Sequence, residues 1–242
     1  MLDYDDEAAH YDRTRGGRPR ALAAASAISG LLPARASIVL DLGGGTGAVA
    51  TELTTPERTV LVADASVGML RLAAKRVDGR CAQVDATVMP FRDASVDAVV
   101  CVWLFHLLTE SDVAAIVAAT ARVLRSGGVL VTTVDKRDAS PSTDIATALA
   151  PLRPYRSTAT DATATIDALT ARHGLRRTGT ATFTGVGQGW TPLGIIDDVD
   201  GRYSAAPDSM RSAVIRALSG LPDPERPRAD PVYTLVRYTK DV

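Results

Sequence analysis

Short apolar runs alternate along the chain with longer stretches whose apolar residues recur at helical spacing. Residues 37–42, Ser-Ile-Val-Leu-Asp-Leu, form the nearly continuous apolar run of a strand covered on both faces. The run breaks into Gly43-Gly44-Gly45-Thr46-Gly47, after which a helix through about Leu53 is expected. The alternation goes on with a strand at 59–63, Ser66 as N-cap of a helix carrying Met69, Leu70 and Leu72, and a strand at 81–84. A fourth strand over 96–102 leads to a helix of about 110–125 that stops at Gly127-Gly128, and 129–134 reads as a fifth strand. Strands alternating with helices of this length predict βαβ units with right-handed crossovers, hence an α/β, doubly wound, mostly parallel sheet.

The flanks have a different texture. Residues 1–18 are polar and read as a flexible arm, and Pro19 opens an Ala-rich apolar helix to Leu32. After Asp135 comes a Pro/Ser/Thr-rich connection through about Thr160, then a helix near 161–173 ended by Gly174, a strand-like stretch at 175–184 and a last strand at 232–238. The roughly 45 residues between those two strands are too many for bare loop. With Trp190, Pro192 and a helix around 210–218, they read as a helical insertion over about 185–230 that forms part of a substrate lid. No repeat or linker divides the chain. The expectation is a single domain over 1–242, with an arm and helix to 35, a cofactor-binding core over 36–135 and a substrate-side tail beyond.

Composition narrows the classes. Of 242 residues 46% are hydrophobic and 23% charged, which excludes a wholly disordered chain. The net charge of −1, with no Lys/Arg cluster persisting along one predicted element, argues against a nucleic-acid partner. Cys81 and Cys101 fall in apolar runs and read as buried residues of interior strands, not as a disulfide or metal pair. No clustered His/Asp/Glu set suggests a metal. The acidic start and the lack of any run of about 18 apolar residues lead to the expectation of a cytoplasmic protein with no membrane partner.

A glycine-rich turn at the carboxyl end of a first parallel strand lets backbone come close to a ligand. Gly43, Gly45 and Gly47 are placed for this, although Gly43-x-Gly45-x-x-Ala48 also satisfies the dinucleotide fingerprint. Asp41 discriminates. Its carboxylate would lie where a dinucleotide puts an anionic pyrophosphate, whereas S-adenosylmethionine puts a cationic amino group and sulfonium there. Asp64, ending the second strand, is placed to accept hydrogen bonds from ribose hydroxyls of either cofactor.

Val39-Leu-Asp-Leu-Gly-Gly-Gly-Thr-Gly47 resembles the glycine motif of class I S-adenosylmethionine-dependent methyltransferases, and four further segments match in order. Ala63-Asp64-Ala65-Ser66-Val67-Gly68-Met69-Leu70 is similar to the family's ribose-binding acid and adenine-side helix. Gln83-Val84-Asp85-Ala86 with Met89-Pro90-Phe91 resembles the segment whose acid meets the adenine amino group. Asp97 to Trp103 with Phe105-His106-Leu107 resembles the fourth strand and its His-bearing sequel, and Val123 to Gly128 the approach to strand five. The arm His10-Tyr11-Asp12-Arg13-Thr14-Arg15-Gly16-Gly17 looks like the opening segment of small-molecule members.

The resemblance implies a seven-stranded sheet with an antiparallel last strand and S-adenosyl-L-methionine as cofactor, leaving S-adenosyl-L-homocysteine. It implies cofactor contacts at Asp41, Gly43, Gly45, Gly47, Asp64, Ala65, Met69, Asp85, Ala86, Trp103, Tyr11 and Arg15. His106 would stand near the transferred methyl, where an ordinary pKa of about 6.5 suits a general base. Tyr11 is its catalytic companion from the arm. Packed-core readings of Met69 and His106, and a turn role for Asp85, stay open. Where nucleic-acid amino-methylating members carry Asn/Asp-Pro-Pro-aromatic, this chain reads Cys101-Val-Trp-Leu104, which favours a small organic molecule or short peptide as acceptor. An NAD-linked oxidoreductase and a non-methylating S-adenosylmethionine-binding protein are the rival readings.

Overall fold

The computed structural model describes residues 4–139, 143–156 and 159–241; the remaining positions of the expected arm and connection lie outside the described residues. Two helices come first, α1 (Tyr4–Thr14) and α2 (Gly17–Leu31). The alternating core follows as β1 (Ile38–Leu42), α3 (Ala48–Leu53), β2 (Thr59–Asp64), α4 (Val67–Arg76), β3 (Cys81–Gln83), β4 (Val96–Cys101), α5 (Glu110–Val123) and β5 (Leu124–Val134). The tail contains α6 (Asp144–Ala148), α7 (Thr163–Ala171), β6 (Leu175–Thr184), α8 (Pro192–Ile196), α9 (Val199–Arg202), α10 (Asp208–Ser219) and β7 (Val232–Lys240).

The seven strands lie in the order β3-β2-β1-β4-β5-β7-β6, and β7 runs antiparallel to both of its neighbours. This is the Rossmann-like, doubly wound sheet that the alternation predicts. The order reverses between β1 and β4, which opens a crevice at the carboxyl ends of those strands. One sheet face packs on α2, α3 and α4 through residues such as Ile28, Leu53 and Val62. The other packs on α5 and α7 through Val113, Ile116 and Ile166. Leu40, Val99 and Leu130 are fully buried in the central strands, each stabilising the sheet by about 1.5–3 kcal/mol relative to exposure. Helix starts are written locally: the Ser66 hydroxyl accepts from Met69 N–H, and Thr109 with Asp112 forms a capping box at α5.

Four expectations change. The arm is helical over α1, with acids in its first turn and Arg13 in its last, the charge order that suits the helix dipole. Gly127-Gly128 does not end α5 in a loop; the chain passes at once into β5, and the register against β4 shifts in that stretch. The connection after Asp135 is not bare, because α6 and a 3-10 turn over Ala150–Tyr155 join α8 and α10 in a small third core around Leu152, Tyr203, Val214 and Leu218. Cys81 sits half-buried on the outermost strand, whereas Cys101 is fully interior. Among the described residues no helix is long and apolar enough to cross a membrane.

Candidate active site

Where β1 ends, the Gly43 amide donates to the carbonyl of Ala63 at 2.7 Å, turning the chain across the top of β2. Gly47 takes φ +73° at the start of α3, and a Cβ there would come within 3.2 Å of Ala73 in α4. Positive φ and close helix packing together require glycine at that position. Gly43 and Gly45 also hold positive φ, and the loop they shape lines a cavity of about 1170 Å³ at the switch point.

Both predicted acids face this cavity. Asp41 is buried, and its Oδ2 has no hydrogen-bond partner. Burial first, and the Asp64 charge second, raise its pKa to about 7. Asp64 accepts from Gly45 N–H at 2.8 Å and Ser66 N–H at 2.9 Å. Its pKa is nevertheless raised, because desolvation outweighs those bonds. A carboxylate has about four acceptor sites, so Asp64 retains capacity for hydroxyl donors. Asp85 lies at the rim, accepting from the amide and hydroxyl of Thr87 in a turn; these bonds hold its pKa down. Ala65, Met69 and Ala86 complete that end of the wall.

The other wall comes from α1 and from the segment after β4. Asp5 accepts from the Ser66 hydroxyl and from Gly68 N–H at 2.7 Å. Asp12 accepts from the Thr46 hydroxyl at 2.7 Å and pairs with Arg76, which also donates to Thr46. Both ties fasten α1 across the glycine loop and α4, so Tyr4 and Tyr11 roof the cavity with rings 6.3 Å apart. Trp103 has φ +60°, an outlier for a bulky residue, and its buried Nε1 has no partner. Arg20 of α2 stacks over its indole at 4.0 Å, while Phe183 and Tyr233 meet it edge-on.

A second cavity of about 470 Å³ adjoins the first, and Arg15 belongs to the wall of both. His106 lies here, not in the larger chamber. Its Nε2 is 2.6 Å from Lys136 Nζ, and its buried Nδ1 has no partner. Burial, then the charges of Lys136 and Arg137, lower its pKa to about 3 in place of the ordinary value expected from sequence. The structure therefore brings ten predicted cofactor residues and Arg15 around one chamber, leaves Gly47 behind the loop against Ala73, and sets His106 apart beside it. Sequence reasoning missed Arg20, Lys136, Arg156 and Arg202, since each is one cation on a different element and no local spacing joins them. Asp135, just after β5, accepts from Thr163 N–H at 2.9 Å at the start of α7.

The sheet order, with an acid-flanked glycine loop at its switch point, places the chain in the Rossmann-like, doubly wound class. Residues 39–128 match the Methyltransferase domain family, and along this stretch the chain is similar to methyltransferases. It is 35% identical over 138 residues to an uncharacterized methyltransferase of Mycobacterium tuberculosis, covering 57% of this chain and 54% of that one. A demethylmenaquinone methyltransferase of Thermobifida fusca is 36% identical over 49% of this chain and 50% of its own. The chain thus spans about half the length of the curated relatives it matches. Among solved structures, a putative methyltransferase from Bacillus halodurans superimposes with TM-score 0.61 at 18% identity, covering 90% of this chain and 98% of that one. A [4+2]-cyclase gives TM-score 0.65 at 16% identity, over 99% and 94% of the two chains. These likenesses establish the shared fold.

Proposed function

We propose that this protein transfers a methyl group from S-adenosyl-L-methionine to a small organic molecule or short peptide. The observation that carries the reading is Asp41: a buried carboxylate with an orphaned oxygen, at the end of β1, facing a chamber large enough for a nucleoside. A cationic ligand group offsets the burial of that charge, whereas a pyrophosphate would repel it. The cofactor, when bound, supplies a methyl made electrophilic by its sulfonium. Asp64 accepts from the ribose hydroxyls, and Met69, Asp85 and Ala86 border the base. Gly43, Gly45 and Gly47 let backbone approach, while Trp103, Tyr11 and Arg15 close the end toward the second cavity.

The chain's contribution to rate is positioning and exclusion of water. α1 and the helical cap of α6 and α8–α10 hold the acceptor in line with the methyl. His106 and Tyr11 are the side chains proposed to touch it. A histidine whose pKa lies near 3 accepts a hydrogen bond but is a weak base at neutral pH. The reaction therefore draws on an acceptor that is itself nucleophilic. Since the same fold occurs in a [4+2]-cyclase, the proposal rests on the site and not on the fold.

Isothermal titration of the purified chain with S-adenosylmethionine, S-adenosylhomocysteine and NAD tests the reading. Binding of the first two without NAD is expected. Binding of NAD alone would overturn it in favour of an oxidoreductase.

A further inference from the structure

The chain as a whole is nearly neutral, with 27 Lys and Arg against 28 Asp and Glu, yet its second cavity is not. Among the described residues, five of its lining side chains are cations and none is a carboxylate. They arrive from separate parts of the chain: Arg15 follows α1, Lys136 and Arg137 follow β5, Arg156 follows the turn after α6, and Arg202 ends α9. Convergence of this kind is produced by the fold, not by a local run of charge.

The carboxylates that answer these cations stay outside the cavity wall. Asp138 approaches Arg156 at 3.7 Å from an exposed position, and Asp198 pairs with Arg202 from the start of α9, one turn earlier. Asp161 is buried behind Lys136, accepting from its backbone amide at 3.0 Å. Among the described residues no carboxylate enters the wall of this space of about 470 Å³, so the surface it offers a ligand is cationic. Lys136 has a pKa lowered to about 8, through burial first and the Arg15 charge next, with Asp161 acting in the opposite sense. Each guanidinium has five donors in a planar fork suited to oxyanions. Arg156 spends one on Tyr203 Oη at 3.4 Å, and Arg202 directs its Nε to Asp198 while its plane approaches the Trp190 ring. Trp190, Tyr203 and Tyr233 furnish apolar wall between the charges.

We propose that the second cavity seats a multiply charged oxyanion carried by the methyl acceptor, either a phosphate or diphosphate ester or a polycarboxylate. The assignment of that anion to the acceptor rests on the methyl-transfer reading above; the anion site itself does not. Arg15, on the wall shared by both chambers, marks the side on which the acceptor's reacting atom meets the cofactor. Lys136 and the arginines grip the far end.

The test is calorimetric titration of the full chain, saturated with S-adenosylhomocysteine, with inorganic pyrophosphate and separately with citrate. Saturable binding that weakens with added sodium chloride is expected. An Arg156→Gln/Arg202→Gln variant should bind the anion about tenfold or more weakly while its affinity for S-adenosylhomocysteine stays unchanged. Tighter binding of pyrophosphate points to a phosphate ester, and tighter binding of citrate to a polycarboxylate. Absence of binding for both probes at low salt overturns the proposal without recourse to any variant, as does equal binding by the double variant. If S-adenosylhomocysteine itself fails to bind, the methyl-transfer reading falls, and pyrophosphate titration of the ligand-free chain then decides the anion site alone.

Discussion

Replacing Asp41 with asparagine should stabilise the ligand-free protein at alkaline pH and disable it as a cofactor binder. Asp41 titrates at 3.8 in an unfolded chain and at about 7 in the folded one. Between those values the folded state keeps a proton that the unfolded state has released, so stability falls as pH rises from about 4 to about 7 and levels off above. At about 1.4 kcal/mol per pH unit, the whole window amounts to about 4 kcal/mol, of which about 3 kcal/mol lies between pH 5 and pH 8.5. An Asp41→Asn variant lacks this dependence but carries an amide donor without a partner, which costs about 1–3 kcal/mol at any pH. It should therefore exceed the wild type in stability at pH 8.5 and fall level with it or below at pH 5. Urea unfolding at both pH values, without cofactor, measures the crossing. A cation bound opposite Asp41 pulls its pKa back down. Wild-type affinity for S-adenosylhomocysteine should then drop about tenfold per pH unit below about pH 7, and the variant should bind weakly with no such slope. A variant less stable than wild type by the same margin at both pH values, with undiminished affinity, would refute the reasoning.

The ties on α1 should govern release of the cofactor. Asp12→Asn, which breaks a pair about one-third exposed at each partner, is expected to accelerate S-adenosylhomocysteine dissociation about twofold to fivefold in stopped-flow fluorescence. Gly47→Ala forces a side chain onto Ala73 at positive φ and should abolish cofactor binding in calorimetry, with a loss of at least about 1–3 kcal/mol in folding stability. Leu218→Ala empties part of the third core; a loss of about 2–4 kcal/mol confined to the cap is expected, seen as faster hydrogen exchange in α8–α10 with cofactor affinity preserved. Because burial keeps His106 neutral above a pKa of about 3, the pH–rate profile should show no inflection near 6.5, and His106→Gln should leave its shape unaltered.

What could be read in advance divides along a physical line. Strands covered on both faces, such as 37–42 and 96–101, announce themselves as unbroken apolar runs, and Gly47 and Asp41 stand in direct sequence with the first of them. α1 gave no such sign. Its helix is held by Asp5 and Asp12 reaching partners some 60 residues away in α4, and no periodicity within 1–18 encodes a remote tie. The same holds for α6, which looks like polar connection until Ile145 meets the α10 side. Gly127-Gly128 misled for the opposite reason: local stop chemistry was overridden by pairing of β5 with β4. For the site, the residues lining the larger chamber were legible because one loop and two strand ends supply most of them. The cationic cavity was not, because its members share no element, and the basicity of His106 depends on Lys136 and Arg137, thirty residues on.

Arg15 is continuous with the roof helix and stands in the partition between both chambers. For a chain acting as proposed, this couples traffic through the site. Lifting α1 to exchange the nucleoside withdraws the residue that faces the acceptor, so an acceptor already seated holds the roof shut. Turnover should therefore run in a fixed sequence, with the nucleoside entering first and leaving last, and product inhibition by S-adenosylhomocysteine should be competitive with the methyl donor alone.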